Sequence, residues 1–463
     1  MKKLYNLVFV VMVSAVLLTS CSAMKEVERD YQNARNPQLP SDIIGAEKLL
    51  TGVNTSSNLG DVSWRVLFND PCFHAIVDSA LANNLDMEIC RKRIQEVELS
   101  LSVARKALFP TVTISPNGSV SNFNSRTTKL YDMPLTVQWQ ADIFGSLKNA
   151  KKSQKVLLEK SQDVIQTVQC QLISNLASLY YQLLMLDKQD AIMVQTEILW
   201  AKSVETQKAL MQAGVTNRAA VDRMSASYYS IKAQIIDTKK EIVVLENAIC
   251  KLLGEAPHHI TRGSFDDFTM PSQIGVGIPM QALQNRPDVR AAQKTIESAF
   301  YNTKMAFADM FPKLTLGGSI GWSNGSDGSV NPGLLLSNAL ASLTAPLFAQ
   351  GKLSANFKLS KIEMDIAHKE LVQTIINAGN DVNNALIECE ASKEKGVFLK
   401  KESESLKAAY DATEELMNRG KATYLEVLTA QESLLSAQLT EVTNDYAKIN
   451  ALINLYIALG GGR

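Results

Sequence analysis

The chain contains one pattern twice, and this internal repeat constrains its fold more than any other feature. Residues 83–113 align without a gap on residues 285–315, at an offset of 202 positions. Later matches keep the same order at offsets of 204 and 206. A duplicated unit of about two hundred residues therefore makes up most of the chain. The matching residues include Asn83 and Asn285, Asp86 and Asp288, Phe109-Pro110 and Phe311-Pro312, Ala141 and Ala345, Gly214 and Gly420, and Leu253-Gly254 and Leu459-Gly460.

Each repeat begins with a helix and continues with a pair of strands. The helices, at about 84–109 and 287–309, end at a Phe-Pro pair, because proline bars its predecessor from the helical region. Alternating side chains then predict β-hairpins at about 111–143 and 313–348. We expect three parts: the first repeat at 64–257, a linker at 258–279, and the second repeat at 280–463.

A very long helical hairpin follows each strand pair. Residues 146–211 contain no proline or glycine, and residues 352–419 contain no proline. At 1.5 Å per residue the first of these would run about 100 Å. Short breaks at 213–217 and 419–423 precede return helices, and the first return helix repeats apolar residues at 3,4 spacing. The pattern predicts coiled-coil hairpins in an elongated molecule.

The four alternating strands fit either a half-buried soluble sheet or a sheet in a membrane. Trp139 and Leu316 fall on the apolar face, whereas Gln138 and Thr315 fall on the other. The strands exceed the roughly 9 to 11 residues that cross a bilayer. Four strands do not close a barrel, and open strand edges are forbidden in lipid because their backbone groups go unpaired. The membrane alternative therefore requires at least a dimer, and a trimer would supply twelve strands.

The N-terminus has the pattern of an export signal. Two lysines precede an apolar stretch that ends in the sequence Leu-Thr-Ser-Cys at 18–21. This ending resembles a bacterial lipobox, in which the cysteine is acylated and becomes the first mature residue. The alternative is an ordinary signal peptide with a chance cysteine. We expect a lipoprotein signal peptide at 1–20, lipidation at Cys21, and a lipid-anchored segment at 21–63.

The composition argues against other functions. The 47 basic and 47 acidic residues balance, which excludes a nucleic-acid binder that works by bulk charge. The five cysteines after Cys21 are scattered without close pairs, and we expect buried thiols rather than a disulfide framework or zinc site. His258 and His259 could suggest metal handling, but they lack ligand spacing, so we assign no metal and no cofactor. The chain has no Walker A or HExxH sequence, and we expect no enzyme.

Several motifs together resemble those of one family. They are Trp64 with Asp70-Pro71, Asp142-Ile143-Phe144-Gly145, Arg286-Pro287-Asp288-Val289-Arg290, Phe311-Pro312, and Ala458-Leu459-Gly460-Gly461-Gly462. This ordered set resembles the TolC-like outer-membrane factors. It is most similar to their lipoprotein branch, which serves resistance-nodulation-division efflux systems. The resemblance extends over the mature chain from Trp64 onward.

The resemblance implies a mainly α-helical fold with a membrane β-barrel portion. Three copies would close a twelve-stranded barrel in the outer membrane of a Gram-negative bacterium, continued by a twelve-helix periplasmic tunnel. This homotrimer would be a passive exit duct for drugs or other small molecules. A periplasmic adaptor and an inner-membrane resistance-nodulation-division transporter would be its partners.

The resemblance also implies roles for the two helix breaks, which we expect at the periplasmic tip of the tunnel. The residues expected to meet the adaptor are Gly214, Val215, Thr216, Asn217, Gly420, Lys421, Ala422 and Thr423. A constriction would be formed by Asp222, Leu425 and Thr429. Relatives often carry an acidic residue where this chain has Thr429, so its gate departs from their pattern.

A protein of another class explains part of the same pattern. A lipid-anchored helical lipoprotein of the surface or periplasm could bind ligands or scaffold the envelope without forming a pore. It accounts for the lipobox and the helices. It gives no reason for duplicated hairpins of bilayer length.

Overall fold

The computed structural model describes residues 24–35, 37, 59–123, 126–269, 285–323, 335–344 and 349–462. The predicted signal peptide, Cys21 and the last residues of the second predicted hairpin, 345–348, lie outside the described residues. The chain divides into two compact units, each built from separate stretches of sequence. The first unit holds the described residues of 1–39, 91–164 and 290–374, and the second those of 40–90, 165–289 and 375–463.

The helices follow the predicted pattern closely. In chain order they are α1 (24–35), α2 (Trp64–Leu67), α3 (Pro71–Asn83), α4 (Leu85–Lys106), α5 (Ser146–Gln212), α6 (Arg218–Leu253), α7 (Pro287–Ala308), α8 (Lys352–Asn418) and α9 (Tyr424–Ala458). Each of α4 and α7 ends three residues before the phenylalanine of a Phe-Pro pair. The very long helices are confirmed, because α5 and α8 each run for 67 residues without a break.

Three described helices, α1, α2 and α3, were not among those predicted. Asp70 caps α3 by accepting a hydrogen bond from the Cys72 N–H at 2.8 Å. Pro71 occupies the first turn of α3, where a backbone N–H has no acceptor within the helix, so the missing N–H of proline removes no helical hydrogen bond. The Asp-Pro pair that marked the family resemblance is thus a helix start.

The strands form one antiparallel sheet in the first unit. They are β1 (Thr111–Ile114), β2 (Asn117–Phe123), β3 (Arg126–Ala141), β4 (Lys313–Ser323) and β5 (Leu335–Thr344). Their order is β1-β3-β4-β5, and β2 also pairs with β3. Two hairpins therefore lie side by side, joined where β3 pairs with β4.

The first arm of the sheet is interrupted between β1 and β2. Pro116 has no N–H to donate, which explains the break in the first strand of the hairpin predicted at about 111–143. The register nevertheless continues, since Ile114 pairs with Leu135 and Asn117 pairs with Asp132. The partner strand, β3, has 16 residues.

Helix α1 packs on α7 and α8 within the first unit. Tyr31 is buried and stacks on Phe300 with ring centroids 4.2 Å apart. Ion pairs join Glu28 to Lys304 at 2.9 Å and Glu26 to Lys361 at 2.8 Å. Apolar burial and charge pairing together hold α1 against the two helices.

Two clusters of buried side chains organise the second unit. One is aromatic: Phe68 and Phe73, from the region of α2 and α3, pack with Tyr180 and Tyr181 of α5 and Tyr456 of α9. The other joins α5, α6 and α9 through Met193, Trp200, Val204, Met224, Ile231, Ile235, Leu428 and Leu435. The α6 members of this cluster belong to the predicted 3,4 repeat, which therefore does form a helix-packing seam.

Within the described residues, no helix is both long enough and apolar enough to cross a membrane.

Candidate functional site: a two-faced sheet and two helix tips

The register of the sheet separates apolar from polar side chains. Leu316 pairs with Trp139 on one side and Ala341 on the other. Its neighbour Thr315 pairs with Gln140 and Ser342. Because side chains alternate between the faces of a strand, the first set shares one face and the second set shares the other. The predicted separation of Leu316 and Trp139 from Thr315 is confirmed.

The apolar face of the sheet is exposed among the described residues of the single chain. Its exposed members include Val112, Ile114, Val120, Leu135, Val137, Trp139, Leu316, Ile320, Trp322 and Leu343. Of these residues Leu316 is the least exposed, and it keeps 37% of its surface accessible. A continuous apolar surface of this kind marks contact with lipid or with another protein.

The sheet also has two open edges. Within the described residues, β1 and β2 pair only with β3, and β5 pairs only with β4. Unpaired edges offer rows of backbone donors and acceptors to another chain. The sheet can therefore be extended by a second copy at each side.

The Asp-Ile-Phe-Gly motif turns the chain from β3 into α5. Both carboxylate oxygens of Asp142 accept backbone hydrogen bonds, from Leu147 at 3.1 Å and Lys148 at 2.8 Å. Gly145 has a φ of 81°, a conformation that favours glycine. Phe144 stacks on Phe311 with centroids 4.8 Å apart, which ties this turn to the Phe-Pro pair of the second repeat.

The two helix tips, 213–217 and 419–423, share one geometry. Gly214 and Gly420 have φ values of 76° and 71°. The next residues donate back to the preceding helix, from the Val215 N–H to Leu210 O and from the Lys421 N–H to Leu416 O, both at 2.9 Å. These bonds are those of a Schellman motif, which ends a helix at a left-handed residue.

Side-chain caps start the return helices at both tips. Asn217 accepts from the Ala220 N–H at 3.1 Å. Thr423 and Glu426 form a reciprocal capping box. A Cβ built on Gly214 or Gly420 would meet nothing within 4 Å among the described atoms, so both glycines are required by backbone conformation and not by crowding.

The predicted constriction residues lie on the first turns of the return helices. Asp222 of α6 is exposed and pairs with Arg218 at 3.5 Å. Leu425 of α9 is exposed, and the Thr429 hydroxyl donates to its carbonyl at 2.9 Å. Leu425 and Thr429 therefore share one face of α9, and Asp222 lies on a different helix.

The histidine pair has structural partners. Nδ1 of His259 lies 2.7 Å from Oε1 of Glu246. Nδ1 of His258 lies 3.0 Å from the Ala256 carbonyl and 3.5 Å from the Cys250 sulfur. In the part of the chain that the structure describes, no group of three or more His, Cys, Asp or Glu residues is placed to hold a metal ion.

An ion-pair network that the sequence did not suggest holds the segment after α6. Arg262 donates to Asp187 at 2.9 Å and also to Glu246. Burial acts to raise the pKa of Glu246, but hydrogen bonds from Arg262 and the Ile260 N–H, together with the nearby charges of Arg262 and His259, outweigh it. The pKa of this carboxyl therefore lies below its usual value. No local motif marks this network, because its members are up to 75 residues apart.

The spacing Gly-x-Ser-x-Gly occurs at Gly317, Ser319 and Gly321, as it does around the nucleophile of many hydrolases. Here all three residues lie inside β4, where Ser319 pairs with Thr136 and Asn338. A nucleophile elbow needs a strand-to-helix turn, which a residue paired on both sides in a strand does not make. This serine is part of the sheet.

Comparison with known proteins agrees with the geometry. The profile of the family described as outer membrane efflux protein matches residues 76–255 and 278–461. The cation efflux system protein CusC of Escherichia coli O6:H1 is 26% identical over 455 residues, covering 97% of each chain. The probable outer membrane lipoprotein SilC of Salmonella typhimurium is 25% identical over 441 residues, covering 94% of each.

Among solved structures, the outer-membrane channel OprN superimposes with a TM-score of 0.82. The two chains are 22% identical, and the match covers 92% of this chain and 98% of OprN. The likeness shows that the fold is shared. With the family profile matching most of its length, the chain belongs to the outer membrane efflux proteins, the channel components of efflux systems in the outer membrane.

Proposed function

We propose that three copies of the chain form a passive exit duct for small molecules. An inner-membrane resistance-nodulation-division pump delivers the molecules, and a periplasmic adaptor joins the pump to the duct. The observation that carries the proposal is the sheet, which has one exposed apolar face and two open edges. Three copies supply the strands of a closed twelve-stranded barrel, which removes every edge from lipid.

In this duct the apolar face of the sheet contacts lipid and the polar face lines the lumen. Leu316 and Trp139 would then lie in hydrocarbon, whereas Thr315 and Gln140 would meet water. Antiparallel pairing throughout the sheet fits a barrel of the outer-membrane type. The rival, a lipoprotein without a pore, leaves the apolar face without a cover.

Acyl chains on Cys21 add a second attachment to the membrane. The described helix α1 begins three residues after Cys21 and is held by ion pairs to α7 and α8 in the same unit as the sheet. The relative SilC is itself described as a probable lipoprotein. The N-terminal segment thus connects a lipid anchor to the unit that carries the barrel strands.

The helix tips form the docking surface for the adaptor. The two tips of each copy share one backbone geometry, so a trimer presents six similar loops. Val215 is 72% exposed, and the space around both tip glycines is open. The residues that contact the adaptor in this proposal are Gly214, Val215, Thr216 and Asn217, together with Gly420, Lys421, Ala422 and Thr423. Asp222, Leu425 and Thr429 narrow the lumen just inside these loops.

Replacing both tip glycines tests the docking role. We expect Gly214→Val with Gly420→Val to abolish the drug resistance conferred with the cognate pump, because a branched residue is strained at a positive φ. The matched control is Gly214→Asn with Gly420→Asn, since asparagine tolerates the left-handed region and should keep the loops in place. Both pairs should leave the trimer assembled in the membrane. Full resistance with the Gly214→Val and Gly420→Val pair would mean that these loops end the helices but do not dock the adaptor.

A further inference from the structure

Equivalent helices of the two repeats differ in how much of their surface is covered. Helices α4 and α7 each have 22 residues and start at equivalent positions, 85 and 287. Every residue of α7 is buried or half-buried, whereas most residues of α4 are exposed, including Leu99 at 69%. The two helices are copies of one element, so α4 presents a surface that its copy covers.

Helices α5 and α8 show the same difference near their starts. Each has 67 residues, and they begin at equivalent positions, 146 and 352. Ser153 and Val156 of α5 are buried, and the Ser153 hydroxyl oxygen lies 3.0 Å from that of Ser298 on α7. Their equivalents on α8, Leu359 and Ile362, are 55% and 56% exposed. The surface of α8 that corresponds to the α7-binding surface of α5 is thus open among the described residues.

Ion pairs fix the register between α7 and α5 in the first unit. Arg290 pairs with Asp163 at 2.8 Å, and Lys294, one turn later, pairs with Glu159. The positions equivalent to Arg290, Lys294, Asp163 and Glu159 are also charged and are exposed; in that order they hold Glu88, Lys92, Lys369 and Asp365. Each equivalent pair again joins an acid to a base, although the first pair is reversed in sign.

We propose that α4 of one copy packs on α8 of the next copy, in the register in which α7 packs on α5. Glu88 then pairs with the partner subunit's Lys369, and Lys92 pairs with the partner subunit's Asp365. Leu99 covers part of the exposed apolar surface around the partner subunit's Leu359, and burial of apolar surface on both helices favours the contact.

The order of the strands agrees with this contact. Within a chain the two hairpins meet where β3 pairs with β4, so the next junction joins β5 to the free edge at β1 and β2 of another copy. Helices and strands therefore continue from the second repeat of one copy to the first repeat of the next. The inference rests on the proposed assembly of several copies and names the surface through which they meet.

The reversed pair makes the two kinds of junction different. If α4 took the place of α7 on α5, Glu88 would face Asp163. If α7 took the place of α4 on α8, Arg290 would face Lys369. Both arrangements bring like charges together, and they are disfavoured for that reason. The reversal thus admits only a ring in which first and second repeats alternate.

Cysteine cross-linking of the full-length protein in outer-membrane fractions tests the register. Because Ser153 faces Ser298 within the chain, Glu96 should face the partner subunit's Leu359 between copies. We expect Glu96→Cys with Leu359→Cys to give disulfide-linked dimers and trimers on oxidation, seen by denaturing electrophoresis without reductant. Glu96→Cys with Ile366→Cys is the matched control, since Ile366 is also exposed but lies about 10 Å further along α8. The control pair and each single variant should stay unlinked.

Charge reversal tests the pairing itself. Glu88→Lys and Lys369→Glu, each alone, should reduce the assembled trimer about tenfold, because each of the three junctions loses an attraction and gains a repulsion. The two substitutions together restore opposite charges and should return the trimer to near its unmodified amount. Native electrophoresis after mild detergent extraction measures the trimer in all three variants.

The inference is overturned if the double charge variant assembles no better than either single variant. It is also overturned if the Leu359→Cys and Ile366→Cys pairs cross-link equally. A protein that conducts ions in a bilayer without the expected cross-link would leave the proposed duct intact, overturn this inference, and assign the exposed surface of α4 to another protein such as the adaptor. A chain that stays monomeric and does not conduct would overturn both.

Discussion

Arginine substitutions on the two faces of β4 test which face contacts lipid and which contacts water. Leu316 and Thr315 are neighbours in one strand and point to opposite faces. Leu316 lies two residues from Gly318, the middle of β4, which is about 7 Å along the strand. Arginine near a bilayer midplane costs about 2 to 4 kcal/mol in a transmembrane barrel, and less toward the interface.

Because Leu316 is displaced from the middle of the strand, we expect Leu316→Arg to destabilise the membrane-inserted barrel by about 2 kcal/mol in each copy. Because a trimer carries the substitution three times, the sum is about 6 kcal/mol, or more than a ten-thousandfold change in an equilibrium constant. Thr315→Arg is the matched control, since it adds the same side chain one residue away toward the lumen.

We would measure the assembled trimer in outer-membrane fractions by native electrophoresis after mild detergent extraction. Leu316→Arg should remove most of the trimer, and Thr315→Arg should leave its amount near that of the unmodified protein. Equal amounts of trimer for the two variants would refute the assignment of the faces, whether both assemble or both fail.

Three other predictions follow from the same structure. Cys21→Ala, expressed behind a cleavable signal, should still give a membrane-embedded trimer because the barrel spans the membrane on its own; release as a soluble monomer, seen by fractionation, would contradict this. Glu246 has its pKa held below the usual 4.5, so its pairing with Arg262 stabilises the fold above pH 4.5 and is lost as the pH falls through the folded-state value. In a His259→Gln background, Glu246→Gln should therefore lower the melting temperature by more at pH 7 than at pH 4. An equal decrease at the two pH values would disprove the linkage. Gly321→Ala should destabilise the sheet by about 1 to 3 kcal/mol, because the added Cβ would press on the Met133 carbonyl. Gly317→Ala is the control, since a Cβ has room there. Equal trimer yields for the two variants would argue against this pairing of β3 with β4.

Much of the fold could be predicted because its signals are local and repeated. The absence of proline and glycine over 146–211 predicted α5, and period-two alternation predicted which side chains share a face of the sheet. The duplication strengthened both predictions, since each pattern appeared in two places. Gly214 and Gly420 marked the tips because glycine is favoured where a helix ends in the left-handed region.

The features that were missed depend on contacts between distant residues. Arg262 lay in a segment expected to be only a linker, and nothing in its neighbourhood indicated Asp187 or Glu246 as partners. Helix α1 was missed because its stability comes from packing on Phe300 and pairing with Lys304, far along the chain.

The central claim is that copies of this chain close their sheets into a pore. Single-channel recording of the purified protein in a planar lipid bilayer tests it most directly. We expect discrete conductance steps from the trimer, with a step size that Thr315→Arg changes because that side chain lines the lumen. A purified protein that stays monomeric and gives no steps would contradict the account and favour a lipid-anchored protein without a pore.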